Sequence, residues 1–116
     1  MTQMGELSTI EQLSDIDTLS HNPNILGVLL FKHSSRCGIS TIVLRNFLKE
    51  WQTLQPNMNY FYVDILKNRD ISNEIAKKYQ VMHQSPQILF IKNGECVGNE
   101  SHYMASLENA LSWVNE

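Results

Sequence analysis

The run Ile25-Leu-Gly-Val-Leu-Leu-Phe31 passes directly into the polar stretch Lys32-His33-Ser34-Ser35-Arg36-Cys37-Gly38-Ile39-Ser40. The run is far too short to cross a bilayer and reads as an inner strand, covered on both faces. Beyond the junction, Ile39, Ile42, Val43, Leu44, Phe47, Leu48, Trp51 and Leu54 recur at helical spacing around much of a circumference. That pattern predicts a well-buried helix, capped by Ser34 or Ser35 and stopped at Pro56-Asn57. A cysteine where strand meets helix lies beside the free N–H groups of the first turn, which favour a thiolate over a thiol. Cys37 is therefore expected to be a nucleophile. A cysteine can also serve as a small buried hydrophobe, but the flank Ser34-Ser35-Arg36 is polar and surface-like.

The rest of the chain supplies alternating elements. Ser8 and Glu11 stand at capping-box spacing, with Ile10, Leu13 and Ile16 on one stripe, so a first helix is expected from Ser8 to about Leu19. Met58 to Ile65 reads as a second inner strand. A helix from Asp70 follows, with Ile71, Ile75, Ala76 and Tyr79 facing the core. Val81 to Ser85 connects to Pro86, Gln87 to Lys92 is a strand, and Asn93-Gly94 is a tight hairpin turn before a returning strand from Glu95 to about Glu100. Met104, Leu107, Leu111 and Val114 mark a closing amphipathic helix. Alternation that ends in a hairpin implies an α/β fold with a central mixed β-sheet and helices on both faces.

With 116 residues, one domain over 1–116 is expected. A net charge of −3 gives no electrostatic case for nucleic acid, and no run suits a membrane. Met1 to Glu6 lacks the basic and apolar regions of a secretory signal, so a cytoplasmic, reducing location is expected. Two cysteines in that setting are not a disulfide framework.

The element order, with a cysteine at a strand–helix junction and a proline opening the hairpin strand, resembles the thioredoxin fold over nearly the whole chain. The marks are Cys37-Gly38-Ile39-Ser40, Val63-Asp64, Ser85-Pro86 and Lys92-Asn93-Gly94-Glu95. Within that superfamily Phe31 to Ser40 looks most like the YtxJ family of monothiol bacilliredoxins. Their motif is commonly Thr-Cys-Pro-Ile-Ser; here Arg36 precedes and Gly38 follows the cysteine. The resemblance implies a thiol–disulfide oxidoreductase with Cys37 as catalytic nucleophile. Bacillithiol would be its co-substrate, bacillithiolated proteins its clients, and no cofactor would be tightly bound. It also implies a cis peptide before Pro86, which turns the Ser85 backbone toward an extended ligand.

Around the thiol, Arg36, His33, Gly38 and Ser40 are candidates for stabilising the thiolate, and Gln84, Ser85, Pro86 and Gln87 for contacting substrate. Ser40 stands where a dithiol enzyme has its resolving cysteine. Its hydroxyl also suits a backbone hydrogen bond in a first helical turn, and the two roles are compatible. The strand before the motif carries no buried acid, as fits a site with no internal resolving thiol. Asp64 reads as a strand-end residue, Tyr62 as a packing residue, and Met82 as a packing residue or, alternatively, a border of the thiol groove. Cys96, just past the hairpin, is expected to be a bystander. His33 and Cys37 alone do not make a metal site, and His21, His83 and His102 read as loop or strand-end residues. Two competing readings remain. Cys37-Gly38-Ile39-Ser40 is one residue from the Cys-Gly-Phe-Ser of monothiol glutaredoxins, which carry iron–sulfur clusters, although residues 93–98 lack their paired glycines. The other is a non-catalytic thioredoxin-like binding module.

Overall fold

The computed structural model describes residues 4–114. The extreme ends of the expected 1–116 domain lie outside them. Five strands form one mixed sheet in the order β1-β3-β2-β4-β5: β1 (Met4–Glu6), β2 (Val28–His33), β3 (Asn59–Asp64), β4 (Gln87–Lys92) and β5 (Glu95–Ser101). β3 runs parallel to both β1 and β2, whereas β4 is antiparallel to β2 and β5. The helices are α1 (Glu11–Ser20), α2 (Gly38–Leu54), α3 (Arg69–Tyr79) and α4 (Leu107–Leu111), with a 3₁₀ turn over His102–Met104.

Strand alternation divides the core into two layers. Leu29, Phe31, Tyr60, Ile88 and Phe90 meet Val43, Phe47 and Trp51 of α2 and Leu107 and Ala110 of α4. On the other face Val28, Leu30, Val63, Leu89 and Ile91 meet Leu13 and Ile16 of α1 and Ile71, Ile75 and Tyr79 of α3. Phe47 is the hub of the first layer, with ring centroids 5.2 Å from Phe31, 5.6 Å from Tyr60 and 6.0 Å from Trp51. These contacts fix the axis of α2 against β2, and with it the place of the thiol.

Several boundaries differ from the sequence expectation for identifiable reasons. α1 begins at Glu11 rather than Ser8, because Gln12 Oε1 accepts from both Ser8 N–H (2.8 Å) and Thr9 N–H (2.9 Å) and closes a separate turn. β2 begins at Val28 rather than Ile25, since Leu26 N–H donates to Asn57 O instead of entering the ladder. α2 is capped by Cys37 itself rather than by Ser34 or Ser35. It is less fully buried than expected: Ile39, Ile42 and Leu54 are exposed. The helix ends with Gln55 in the left-handed region (φ 41°), ahead of Pro56. The closing helix is shortened to one turn and a half, and Met104 is exposed rather than on its core face. β1 was not anticipated. The hairpin is as expected: Asn93 and Gly94 both have positive φ, as a type I′ turn requires. At Gly98 a Cβ would lie 2.3 Å from the Trp113 ring, so only glycine lets that ring close over β5.

Phe47→Ala should lower stability by about 3–5 kcal/mol, whereas Ile42→Ala, on the exposed face of the same helix, should change it by no more than about 0.5 kcal/mol. Urea unfolding of the two variants checks the division.

Candidate active site

The register of the sheet gathers the site. β2 and β3 both end at their C-terminal edges, with His33 opposite Asp64. β4 starts at that same edge, with Gln87 opposite Lys32. Cys37 follows β2, and Ser85-Pro86 precedes β4, so the motif and the proline segment come to one end of the sheet. The Ser85–Pro86 peptide is cis.

Cys37 is half-buried and extended (φ −103°, ψ 117°) at the N-cap of a 17-residue helix. Its N–H donates to Ser34 O (3.1 Å) and its carbonyl accepts from Thr41 N–H (3.1 Å), so the backbone is tied on both sides. The side chain makes no capping hydrogen bond, which leaves the sulfur without a fixed partner at the helix start.

Ser40 is completely buried. Its hydroxyl accepts from Ser34 N–H at 3.0 Å and pairs with His33 Nδ1 at 2.8 Å. One side chain thus fastens the end of β2 to the first turn of α2. Burial moves His33 below the ordinary histidine value, opposed by Asp64 and by Ser40. His33 therefore contacts Ser40, with no hydrogen bond to the thiol. Arg36 is exposed and lines a cleft of about 460 Å³ with Ser35, Asp64, Leu66 and Lys67. Gly38 is exposed, and a Cβ there would meet nothing within 4 Å.

Gln87 is buried; its Nε2 donates to Met82 O (3.0 Å) and its Oε1 accepts from Gln84 N–H (3.4 Å). Gln87 thus braces the segment before the cis bond from within. Ser85 Oγ is buried without a hydrogen-bond partner among the described residues. Met82 is 80% exposed, which corrects its expected packing role: the segment around it is held by polar side chains.

Cys96 pairs with Ile91, which in turn pairs with Val28 at the opposite end of β2 from His33. Five steps of strand separate the two ends, about 17 Å at 3.3 Å per residue, well beyond disulfide reach. Burial raises the Cys96 thiol above its ordinary value, and its S–H donates to Gly98 O (3.2 Å). Among the described residues no group of three or more His, Cys, Asp or Glu side chains is placed to hold a metal ion. No helix among them is long and apolar enough to cross a membrane.

Sequence reasoning passed over Lys32. It is fully buried, and Nζ lies 3.2 Å from His83 Nδ1. Burial pushes its amine down to about 8. A lone lysine in an apolar strand next to the motif was the available signal, but His83 lies 51 positions away.

A mixed five-stranded sheet with a free thiol at the N-terminus of a long helix, beside a cis-proline segment, defines a thioredoxin-like thiol protein. The profile of the family described as monothiol bacilliredoxin BrxC matches residues 5–109, and the chain belongs to that family of thiol–disulfide oxidoreductases. Solved structures agree. A thioredoxin-fold protein described as a candidate oxidoreductase is 32% identical, with a TM-score of 0.79 over 97% of this chain and 94% of its own. Malassezia sympodialis thioredoxin (15% identity, TM-score 0.72, 99% and 90% covered) and Fasciola hepatica thioredoxin (19%, 0.70, 97% and 97%) share the fold.

Two expectations test this local structure. Gly38 occupies the first helical position, where proline is favoured, and extended Cys37 already has the conformation that a following proline requires. Gly38→Pro should therefore raise stability by about 0.4–1 kcal/mol in thermal or urea unfolding. For Lys32, a folded value near 8 against an ordinary 10.5 means that the unfolded chain holds the proton more tightly. Its contribution to stability is thus lowest below pH 8 and recovers as pH rises from 8 to 10.5. Lys32→Met should be more stable than the parent at neutral pH, by on the order of 3 kcal/mol. That margin should shrink across the same interval in paired urea titrations.

Proposed function

We propose that the chain removes bacillithiol from mixed disulfides on client proteins by a monothiol mechanism. The Cys37 thiolate attacks the bacillithiol sulfur of a client–S–S–bacillithiol bond. The Cys37–bacillithiol disulfide forms, the client bond breaks, and the client leaves as a thiolate that takes up a proton. A second low-molecular-weight thiol then attacks the Cys37 disulfide. Its sulfur joins the released bacillithiol in a new disulfide, and Cys37 is returned reduced.

The observation that carries this reading is the state of Ser40. The position of a resolving thiol holds a hydroxyl already engaged with Ser34 and His33, and Cys96 lies at the far end of the strand. An internal disulfide has no second sulfur to use, so the resolving thiol must come from solution. We assign Arg36, beside the motif and on the cleft with Lys67, to attracting an anionic thiol reagent, and His33 and Ser40 to holding the motif in place. Gly38 keeps the approach to the sulfur open.

Gln84 and Ser85 are assigned to contacting the client segment, and buried Pro86 and Gln87 to shaping that stretch from behind. Exposed Ile39, Leu66 and Met82 offer apolar contact on the segments that carry the site. Bacillithiol is on this reading a co-substrate, and a reducing cytoplasm the setting that keeps Cys37 free.

Mass spectrometry after incubation with bacillithiol disulfide should show a single adduct on Cys37, and Cys37→Ser should abolish transfer from a bacillithiolated client while Cys96→Ser retains it. A rapid glutathione adduct with none from bacillithiol would replace the co-substrate. A brown protein whose colour depends on Cys37 would replace the reading by a cluster carrier.

A further inference from the structure

One buried ionisable group has no part in the chemistry above. Lys32 shares the strand face of Val28 and Leu30, so it points toward the α1/α3 layer and away from Phe47 and α2. Its side chain is fully buried, and among the described residues no carboxylate lies within 4 Å of its ammonium. The partner it has is His83 Nδ1, at 3.2 Å; the same nitrogen lies 3.2 Å from Ser72 Oγ on α3. A buried ammonium without a counter-charge is costly to keep, and an apolar side chain would suit the position better.

What the lysine holds is specific. His83 lies within residues 81–86, which have no helix or strand of their own and end in the cis Ser85–Pro86 bond. Gln87, directly opposite Lys32 in the β2–β4 register, bonds Met82 O and Gln84 N–H on either side of His83. Two neighbouring buried side chains therefore grip three consecutive residues, 82–84, at the start of the segment assigned to the client.

We propose that Lys32 is a positioning residue: its ammonium, through neutral His83, sets the conformation of residues 82–86 for docking, and the grip is released when His83 gains a proton. This rests on the roles given to Cys37 and residues 84–87 above. The acceptor role requires the imidazole Nδ1 lone pair. Protonation removes it and sets an N–H against an ammonium 3.2 Å away. The charged groups around His83 are both cations, Lys32 on β2 and Arg69 on α3. Gln87 on β4, Ser72 on α3 and Val63, the β3 register partner of Lys32, carry no charge. Burial first, then the two cations, keep His83 below the ordinary histidine value of 6.5, so the grip holds at neutral pH and loosens under acid.

The test compares the full chain with Lys32→Met, Lys32→Gln and His83→Gln. Alkylation of Cys37 by iodoacetamide needs no docking and should change by less than about twofold in all three, whereas KM for a bacillithiolated client peptide should rise about tenfold in Lys32→Met at nearly constant kcat. Lys32→Gln, which keeps a donor, should recover part of that loss. In the parent, KM should climb as pH falls below the ordinary histidine value of 6.5, and this acid limb should be missing in Lys32→Met. The amide resonances of Gln84 and Ser85 should shift with the His83 ring titration in the parent and not in Lys32→Met. An unchanged KM and pH profile in folded Lys32→Met, or Gln84 and Ser85 amides indifferent to His83, would overturn the proposal. Should the parent fail to transfer bacillithiol at all, the proposed function falls, and the resonance arm still decides for or against the grip.

Discussion

The antiparallel register of β2 against β4 is the constraint on which the rest depends. With Lys32 opposite Gln87 and Val28 opposite Ile91, the start of β4 is forced to the same sheet edge as the end of β2. The ladder itself therefore brings the cysteine loop and the proline segment to one edge of the sheet. A slip by one residue would turn Lys32 toward α2 and Phe31 toward α3, exchanging the two core layers. The apolar pattern on both faces forbids that slip, so the same burial that stabilises the sheet also aligns the site.

The same register makes the protein a one-thiol device. It sends Cys96, carried on the strand after β4, to the opposite edge. Ser40 then stands where a dithiol motif carries its second sulfur, and its hydroxyl is committed to structure. A thiol there would be a weaker donor and acceptor than the hydroxyl that joins His33 to Ser34. In this one-thiol motif the first turn of α2 and the end of β2 are locked together by that hydroxyl.

Much of this could be read from the residues. The hairpin was legible because Gln87 to Lys92 is apolar and β-branched, and Asn93-Gly94 suits only a narrow class of turn. Cys37 was legible because a polar flank between a buried strand and a buried helix is a strong local signal. β1 was not, since a three-residue Met-Gly-Glu strand has no pattern and exists through its pairing with β3. The start of α1 was misjudged because Gln12 outcompeted the expected Ser8–Glu11 pair, a choice that propensity does not decide. The exposure of Ile42 and Met82 ran against hydropathy for a related reason: which part of a helix or loop meets the sheet is a tertiary outcome. The Ser40–His33 pair was half legible, as a first-turn hydroxyl, but its partner was not. Lys32 and His83 were illegible as a pair, because nothing local joins positions 51 apart.

The two polar fastenings differ in what they cost. Ser40 is neutral and satisfied, so it stabilises the fold and the site together. Lys32 works in the other direction. A cation sealed against an apolar layer with only an imidazole and no carboxylate raises the energy of the folded state. Departures from the apolar pattern that cost stability tend to mark places where structure serves a task. Here the departure sits in the central strand, one register pair from Gln87, and acts on residues that regular structure leaves unsupported. A carboxylate partner would have relieved the burial cost, but it would also have attracted the proton of His83 and tightened the contact as pH falls. An unbalanced cation does the opposite. It adds to the burial that holds His83 below the ordinary histidine value and makes the loop ahead of Pro86 the part of the site whose geometry depends on acidity, while the backbone around the thiol, tied through Ser34, Ser40 and Thr41, stays fixed.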